Sequence, residues 1–410
     1  MCAGTKDMKP SDARLAVIYG ARAGTGGLGH SAAWAITALA HGGHELIALG
    51  PGYHEPWSLP GGVPKALWLQ SPEAIPDWKR KYSWLRWRQG ELTFKRDRAL
   101  GEWAARQIQQ RPPFACYSMT QVGLESLRWA RQHEVFAVLD NPNGHISNFQ
   151  QVCERESLRW CGSRFSGHPT QAMADRVAEE YEVSDCIRVY SEWSKRSMVD
   201  FGVPPHKIQV LQPSINLDRF RPPAENPSPN GPLRICYVGS LDLRKGFVYL
   251  LRAIRDLGAR HIALEVVGAT GDRHCAALFA REKQGLEVRC VPGDPLRAYQ
   301  ESEIFIFPTL EDGFGFVLPE AMACGLPAII TDQCGAGECV RSGEEGWIVA
   351  AGDVQALAAA LETAIRCRKE LPEMGRKARS TIEEYCGPRQ LDCLAGWFSS
   401  LSDGELHATG

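Results

Sequence analysis

Between Ile304 and Thr331 the chain reads IFIFPTLEDGFGFVLPEAMACGLPAIIT, and two carboxylates, Asp312 and Glu320, bracket a pair of glycines there. Ile304 to Phe307 is an apolar run of buried-strand length, and Pro319 to Ala323 read as a first helical turn that Gly325 and Pro327 stop. Gly313 and Gly315 let the backbone come close to a ligand, and the helix after them points unpaired N–H groups at whatever sits in front. Carboxylates beside such a site are poor phosphate ligands and good acceptors for the hydroxyls of a sugar or a ribose. The competing reading is local: Glu320 complements the helix dipole and Asp312 is a turn residue.

A second cluster lies in LRICYVGSLDLRKGFVYLLRAI, from Leu233. A strand, a loop with Gly239 and Gly246, and a helix follow one another. Arg244 and Lys245 sit in that loop, where their charges could meet a diphosphate or simply be solvated in a turn. In the first half, the strand Val135 to Asp140 empties into NPNGHIS. Ligands bind at strand ends in parallel sheets, so His145 is the leading catalytic candidate of that half, against the plain alternative of an exposed or hydrogen-bonded loop histidine. Near the start, Gly24, Gly26 and Gly29 satisfy G-x-G-x-x-G, which raises a nicotinamide-dependent oxidoreductase as a rival. Against it, the glycines begin several residues after the strand Arg14 to Tyr19, and the next strand ends in Leu49 and Gly50 instead of an acid for the ribose.

The elements that would position these residues alternate strand and helix along 410 residues that are 44% hydrophobic, enough for two domains with separate cores. A net charge of -2 argues against a general nucleic-acid binder. The N-terminal MCAGTKDMKPSDAR has no apolar core of signal-peptide length, and no stretch approaches 18 apolar residues, which predicts a cytoplasmic protein. The 14 cysteines are scattered singly without metal-ligand spacing, so reduced cysteines and no metal site are expected. Residues 221–232, RPPAENPSPNGP, break all periodicity and read as a linker. Strands are expected at Phe114 to Ser118, Cys186 to Ser191, Ala263 to Val267, Glu287 to Val291, Ala328 to Thr331 and Trp347 to Val349, with closing helices at Val354 to Ala378 and Arg389 to Leu401.

From Trp78 to Arg98, eight cationic side chains face two acids and interleave with Trp78, Tyr82, Trp84 and Trp87. Such a composition suits a surface that touches anionic lipid, a phosphorylated acceptor or a polyanion, and equally an ordinary solvated helix face with a few packed tryptophans.

The loop D-G-F-G followed by E-A-M-A-C-G resembles the E-G-F-G and E-A-M-A-C-G pattern of retaining GT-B glycosyltransferases, the glycosyl transferases group 1 family of family 4 type, with Asp312 in place of the first glutamate. Glu311 could stand in for that acid but lies one residue out of register. The resemblance implies two doubly wound Rossmann-like α/β domains facing each other across a cleft. It places an acceptor-side domain at 12–220, a nucleotide-sugar domain at 233–385, and a helix at 386–402 that crosses back. It implies transfer of a sugar from a UDP- or GDP-sugar to a saccharide, lipid-linked or small-molecule acceptor, with no metal and no cofactor beyond the donor. Gly26 and Gly27 would form a flexible loop facing the donor diphosphate. Lys245, with Arg244, would grip the phosphates, and the backbone near Val291 would flank the base. Asp312 and the backbone of Gly313, Phe314 and Gly315 would hold the donor sugar, Glu320 the ribose, and His145 would act near the reacting sugar. It also leaves room for peripheral contact with the inner face of a membrane through 78–98. A nucleotide-sugar-binding protein without turnover is the other rival, suggested by Asp312 and by Ser240, which stands where the family often has an arginine.

Overall fold

A computed structural model describes residues 14–23, 26–54, 62–72, 89–162, 169–225, 230–258, 261–270 and 273–402. Its first half is a seven-stranded parallel sheet. Strands β1 (Arg14–Ile18), β2 (Glu45–Gly50), β3 (Leu67–Gln70), β4 (Ala115–Met119), β5 (Phe136–Asp140), β6 (Cys186–Val189) and β7 (Ile208–Val210) stand in the order β3-β2-β1-β4-β5-β6-β7. Every pair in it is parallel, with Leu15 between Leu46 and Ala115 at the centre. Helices α1 (Gly26–His41), α2 (Gln89–Gln110), α3 (Leu124–Gln132), α4 (Ile146–Cys161), α5 (Gln171–Val183) and α6 (Glu192–Asp200) connect the strands. Helices on both faces explain why Leu15, Ala16, Val17 and Ile18 are apolar without alternation and fully buried.

The second half repeats the plan with six strands. These are β8 (Leu233–Val238), β9 (Ile262–Val267), β10 (Glu287–Val291), β11 (Ile304–Phe307), β12 (Ala328–Thr331) and β13 (Gly346–Val349), in the parallel order β10-β9-β8-β11-β12-β13. Its helices are α7 (Phe247–Asp256), α8 (Arg273–Glu282), α9 (Leu296–Glu301), α10 (Val317–Ala323), α11 (Val354–Arg366) and α12 (Leu371–Tyr385). A last helix, α13 (Arg389–Ser402), leaves this half and packs on α1, with Phe398 edge-on to His44 at 5.4 Å and Ala395 against Gly42. In each sheet the strand order reverses at one place, between β1 and β4 and between β8 and β11, which is where a doubly wound sheet opens a crevice beyond its strand ends.

Three local expectations differ. Gly26 and Gly27 lie in the first turn of α1 and not in a flexible loop. The closing helix expected over Val354 to Ala378 is two helices, because Pro372 takes a first-turn position where its missing N–H costs nothing and starts α12 afresh. Strand β3 was not anticipated; it is a short edge strand with a half-exposed LWLQ sequence, too brief for a period to show.

Behind the first sheet's strand ends, a buried ion pair fixes the loop that meets the second half. Arg188 on β6 and Asp140 at the end of β5 lie 3.1 Å apart with no exposure. Tyr117 and Tyr190 hydrogen-bond into the pair, and the guanidinium stacks 3.9 Å from Trp34 and 4.1 Å from Tyr190. A paired and hydrogen-bonded charge is tolerated at this depth where a lone one would not be. Asn141 then donates from its N–H to the Arg188 carbonyl at 2.8 Å, so the 141–145 loop leaves the sheet in a set direction.

Candidate functional site

The two crevices face each other and enclose a cavity of about 670 Å³ lined from both halves. The floor on the second side is the loop of residues 312–315. Its backbone pairs with the segment after β12: the Asp312 N–H donates to the Gln333 carbonyl at 2.9 Å, Gly335 to Asp312 at 2.9 Å and Ala336 to Phe314 at 2.8 Å. Gly315 has φ +79°, a conformation that side chains rarely adopt, so glycine is needed there to turn the chain into α10. Phe314 is buried and stands edge-on to Tyr190 of the first sheet, 5.9 Å away.

Lys245 and Asp312 meet in the cleft as an ion pair, each about one-eighth exposed. A short turn, Leu243–Lys245, carries the lysine; Asp242 caps it by accepting the Lys245 N–H at 3.0 Å, and Gly246 at φ +70° closes it against the Pro308 carbonyl. Burial pushes the Asp312 carboxyl up, but the Lys245 ammonium and the Arg244 guanidinium outweigh it and hold the group below the usual carboxylate range. Arg244 also lines the cleft, 4.5 Å over the Phe149 ring of α4, and donates to both the carbonyl (2.7 Å) and the carboxylate (2.9 Å) of Glu311. Glu311 itself is fully buried and outside the cleft lining, so it holds Arg244 and does not replace the first acid of the loop.

Glu320 lines the cleft from the first turn of α10 at 8% exposure. Burial raises its carboxyl to about 7, against the hydroxyl of Tyr299, which donates to it at 3.1 Å and favours the ionised form. Across from it stands His30 of α1, which the sequence reading missed. Burial first, and the charge of Arg219 second, lower its imidazole to about 4, so it is neutral with one donor and one acceptor. Gly27 and Leu28 line the same wall, and open space lies where a Gly27 side chain would begin. The cleft wall near the expected base site is made by Gly293 and Pro295, while Val291 ends the edge strand β10 without reaching it.

His145 does not reach the cleft either. It caps α4, its Nδ1 accepting the Ser147 N–H at 3.2 Å, and its ring is stacked on Phe201 at 4.7 Å and lies 5.0 Å from Tyr181. Burial lowers its imidazole to about 4. The residues of that loop that face the cavity are Pro142 and Asn143. Physically, the strand end is the right place, but the histidine begins the next helix and turns away from the opening.

The first half adds Gln121, Thr93 and Arg96 to the lining. Gln121 has φ +76°, and both of its backbone groups are tied: Glu180 accepts its N–H at 2.8 Å and Arg176 donates to its carbonyl at 2.8 Å. A non-glycine residue is held in that conformation only where its surroundings over-determine it, and here it faces the site. Arg96 bonds to the buried Asp97 at 2.7 Å. The remainder of the basic aromatic stretch, residues 78–88, lies outside the described residues, as does Gly24. Among the described residues no group of three or more His, Cys, Asp or Glu could hold a metal ion, and no helix is long and apolar enough to cross a membrane.

Cations beside an ionised carboxylate, a second carboxylate held by a buried tyrosine and a bare helix start make a cavity suited to a diphosphate joined to hydroxyl-rich groups. Residues 218–381 match the model of the family described as Glycosyl transferases group 1. The chain is 26% identical over 267 residues to a D-inositol 3-phosphate glycosyltransferase of Rhodococcus erythropolis, covering 60% of each protein. It is 30% identical over 181 residues to the capsular polysaccharide biosynthesis glycosyltransferase CapM of Staphylococcus aureus, covering 42% of this chain and 48% of the relative. The chain thus spans about half to three fifths of the length of these curated relatives. In structure it resembles the sucrose-phosphate synthase of Thermosynechococcus elongatus with a TM-score of 0.72 at 19% identity, over 97% of this chain and 100% of the other. It also resembles Anabaena HepE solved in complex with UDP-glucose, with a TM-score of 0.68 at 14% identity, over 94% and 99%. These likenesses establish the fold as GT-B: two Rossmann-like α/β domains across a cleft.

Proposed function

We propose that this chain, whose residues 218–381 match the model of the glycosyl transferases group 1 family, moves a sugar from a UDP- or GDP-sugar to a saccharide, lipid-linked or small-molecule acceptor with retention at the anomeric carbon. The observation that carries the reading is the Lys245–Asp312 pair set opposite Glu320 in a cleft lined by both sheets. An incoming diphosphate offers Lys245 a stronger anionic partner than Asp312. The exchange leaves Asp312 to accept a hydroxyl of the sugar, while Glu320 accepts the ribose hydroxyls. Lys245 and Arg244 offset the charge that develops on the departing diphosphate, the work a divalent cation does in other sites. Glu311 is held by Arg244 outside the cleft lining, and Asp312, once Lys245 turns to the diphosphate, is taken up by the sugar hydroxyl, so neither carboxylate is assigned as a nucleophile. Attack from the face the diphosphate leaves, with a phosphate oxygen taking the acceptor proton, accounts for retention. His145, packed against Phe201, is not assigned a part.

The test is release of nucleoside diphosphate from UDP-glucose and GDP-mannose in EDTA, with candidate acceptors added in turn. Acceptor-stimulated release of one nucleotide is expected; tight donor binding with no release under any condition would favour a binding protein instead.

The buried carboxyl of Glu320 predicts a pH dependence. Its folded-state pKa lies above the ordinary glutamate value, so the proton is held up to about pH 7, and accepting both ribose hydroxyls, one on each oxygen, needs that proton gone. Affinity for the nucleoside diphosphate should therefore rise with pH through about 7, by about tenfold from pH 6 to pH 8 where ionisation is required. The phosphate titrates in the same range, so the Glu320→Gln variant isolates the carboxyl: calorimetric titrations should show a shallower pH slope in the variant. The sign for stability is opposite. A raised carboxyl pKa favours the fold below the unfolded value near 4.5 and loses that contribution as pH rises through about 7.

A further inference from the structure

The loop of residues 312–315 is held from two sides, and one of them belongs to the other domain. The Gly313 carbonyl lies 2.7 Å from the Ser191 Oγ and 2.8 Å from the Ser194 Oγ, both at the start of α6 in the N-terminal domain. A carbonyl has two lone pairs and can take both hydroxyl protons. Ser191 is also the N-cap of α6, its Oγ accepting the Ser194 N–H at 3.0 Å. In return, the C-terminal domain reaches up to the same helix. Glu338, from the turn Gly335–Cys339 beside the 312–314 loop, accepts the N–H groups of Glu192 (3.0 Å) and Trp193. Trp193 donates from its indole to Gln333 at 3.3 Å. Gln333 and Gly335 are the residues whose backbone pairs with Asp312.

We propose that Ser191 and Ser194, seconded by Glu338, form an interdomain clamp that sets the donor loop, so that Asp312 and the Phe314–Gly315 backbone reach their working position only when the domains are closed. The two serines are positioning residues: they act through the Gly313 carbonyl and do not line the cleft. The inference rests on the donor-site reading above for its consequence, but the clamp itself is a statement about domain closure. With the domains apart, Gly313 must turn its carbonyl to water, the amides at the start of α6 lose the carboxylate that satisfies them, and the loop loses one of its two supports. A nucleotide held by Lys245 and Glu320 would still bind, because both belong to the C-terminal domain.

The experiment uses the full chain with Ser194→Ala, which keeps the Ser191 cap, and Glu338→Ala, singly and together, with Ser194→Thr as the conservative variant. Small-angle scattering needs no donor and reads the clamp directly: the double variant should have a larger radius of gyration than wild type. With UDP-glucose, nucleotide release should fall in kcat by about ten- to hundredfold, as expected for losing two or three interdomain hydrogen bonds. The dissociation constant for UDP should stay within about threefold, and Ser194→Thr should recover most of the rate. Unchanged scattering overturns the clamp. An expanded double variant that retains wild-type kcat overturns the positioning role. If wild type binds no nucleoside diphosphate, the donor-site reading fails, and the scattering result alone still decides whether the clamp exists.

Discussion

Lys245→Ala should lower kcat/KM for the nucleotide sugar by about a hundred- to a thousandfold, the range seen when one pre-placed charge-stabilising group is removed from a water-poor site. Two effects add. The ammonium no longer meets the diphosphate, and Asp312, at 8% exposure, is left buried without the cation that keeps it ionised. Burial then dominates, the carboxyl takes up a proton more readily, and its capacity to accept a sugar hydroxyl falls with it. Lys245→Arg should recover only part of the loss, since a planar fork does not replace a point charge over the Phe307 ring, 5.3 Å from the ammonium. Steady-state rates beside a urea midpoint separate the chemistry from any loss of folding.

Gly313→Ala should abolish transfer while leaving nucleotide binding nearly intact. A side-chain carbon at this position would lie 2.3 Å from the Pro142 carbonyl oxygen and 2.4 and 2.5 Å from the Asn143 backbone, all in the N-terminal domain. Gly313 is not among the positive-φ residues, so alanine fits the local conformation and the C-terminal domain folds as before. What it prevents is closure, because the neighbour is backbone held in place through Asn141 and the Arg188–Asp140 pair. A kcat at least about a hundredfold lower with a UDP dissociation constant within about threefold is expected, since small misplacements of reacting groups carry losses of that size. Gly335→Ala is the contrasting case. Its added carbon would meet the Gly313 carbonyl at 1.9 Å, inside the loop itself, so binding and turnover should fall together.

Except for the edge strand β3, the strands of both sheets were legible because parallel strands covered on two faces are short apolar runs between glycines and prolines, as at Leu15 to Ile18 and Ile304 to Phe307. Lys245, Asp312, Gly315 and Glu320 were legible as residue types at a spacing, and they line one cleft. What escaped is what depends on residues far apart in sequence. Gln121 is an unremarkable residue until Glu180, 59 positions on, holds its amide in a left-handed turn. His30 sits in a helix of alanines, and the groups that set its environment include Arg219 and Phe316 of the opposite wall. His145 shows the converse: its polar turn at a strand end was a sound location, yet helix capping claimed the side chain and Asn143 took the cleft. The role of Arg96 was half visible in the basic stretch, which promised an anionic partner without showing that one of its cations enters the cleft.

The most direct test of the central claim is calorimetric titration of wild type and Lys245→Ala with UDP, GDP, ADP, TDP and NAD, all in EDTA. One nucleoside diphosphate should bind wild type, and the lysine variant should lose it; at 100 times its dissociation constant that ligand adds about 2.7 kcal/mol of stability, which a melting curve confirms independently. Binding of NAD alone, or of a nucleotide only when metal is restored, would contradict the assignment of Lys245, Asp312 and Glu320 to a metal-free nucleotide-sugar site.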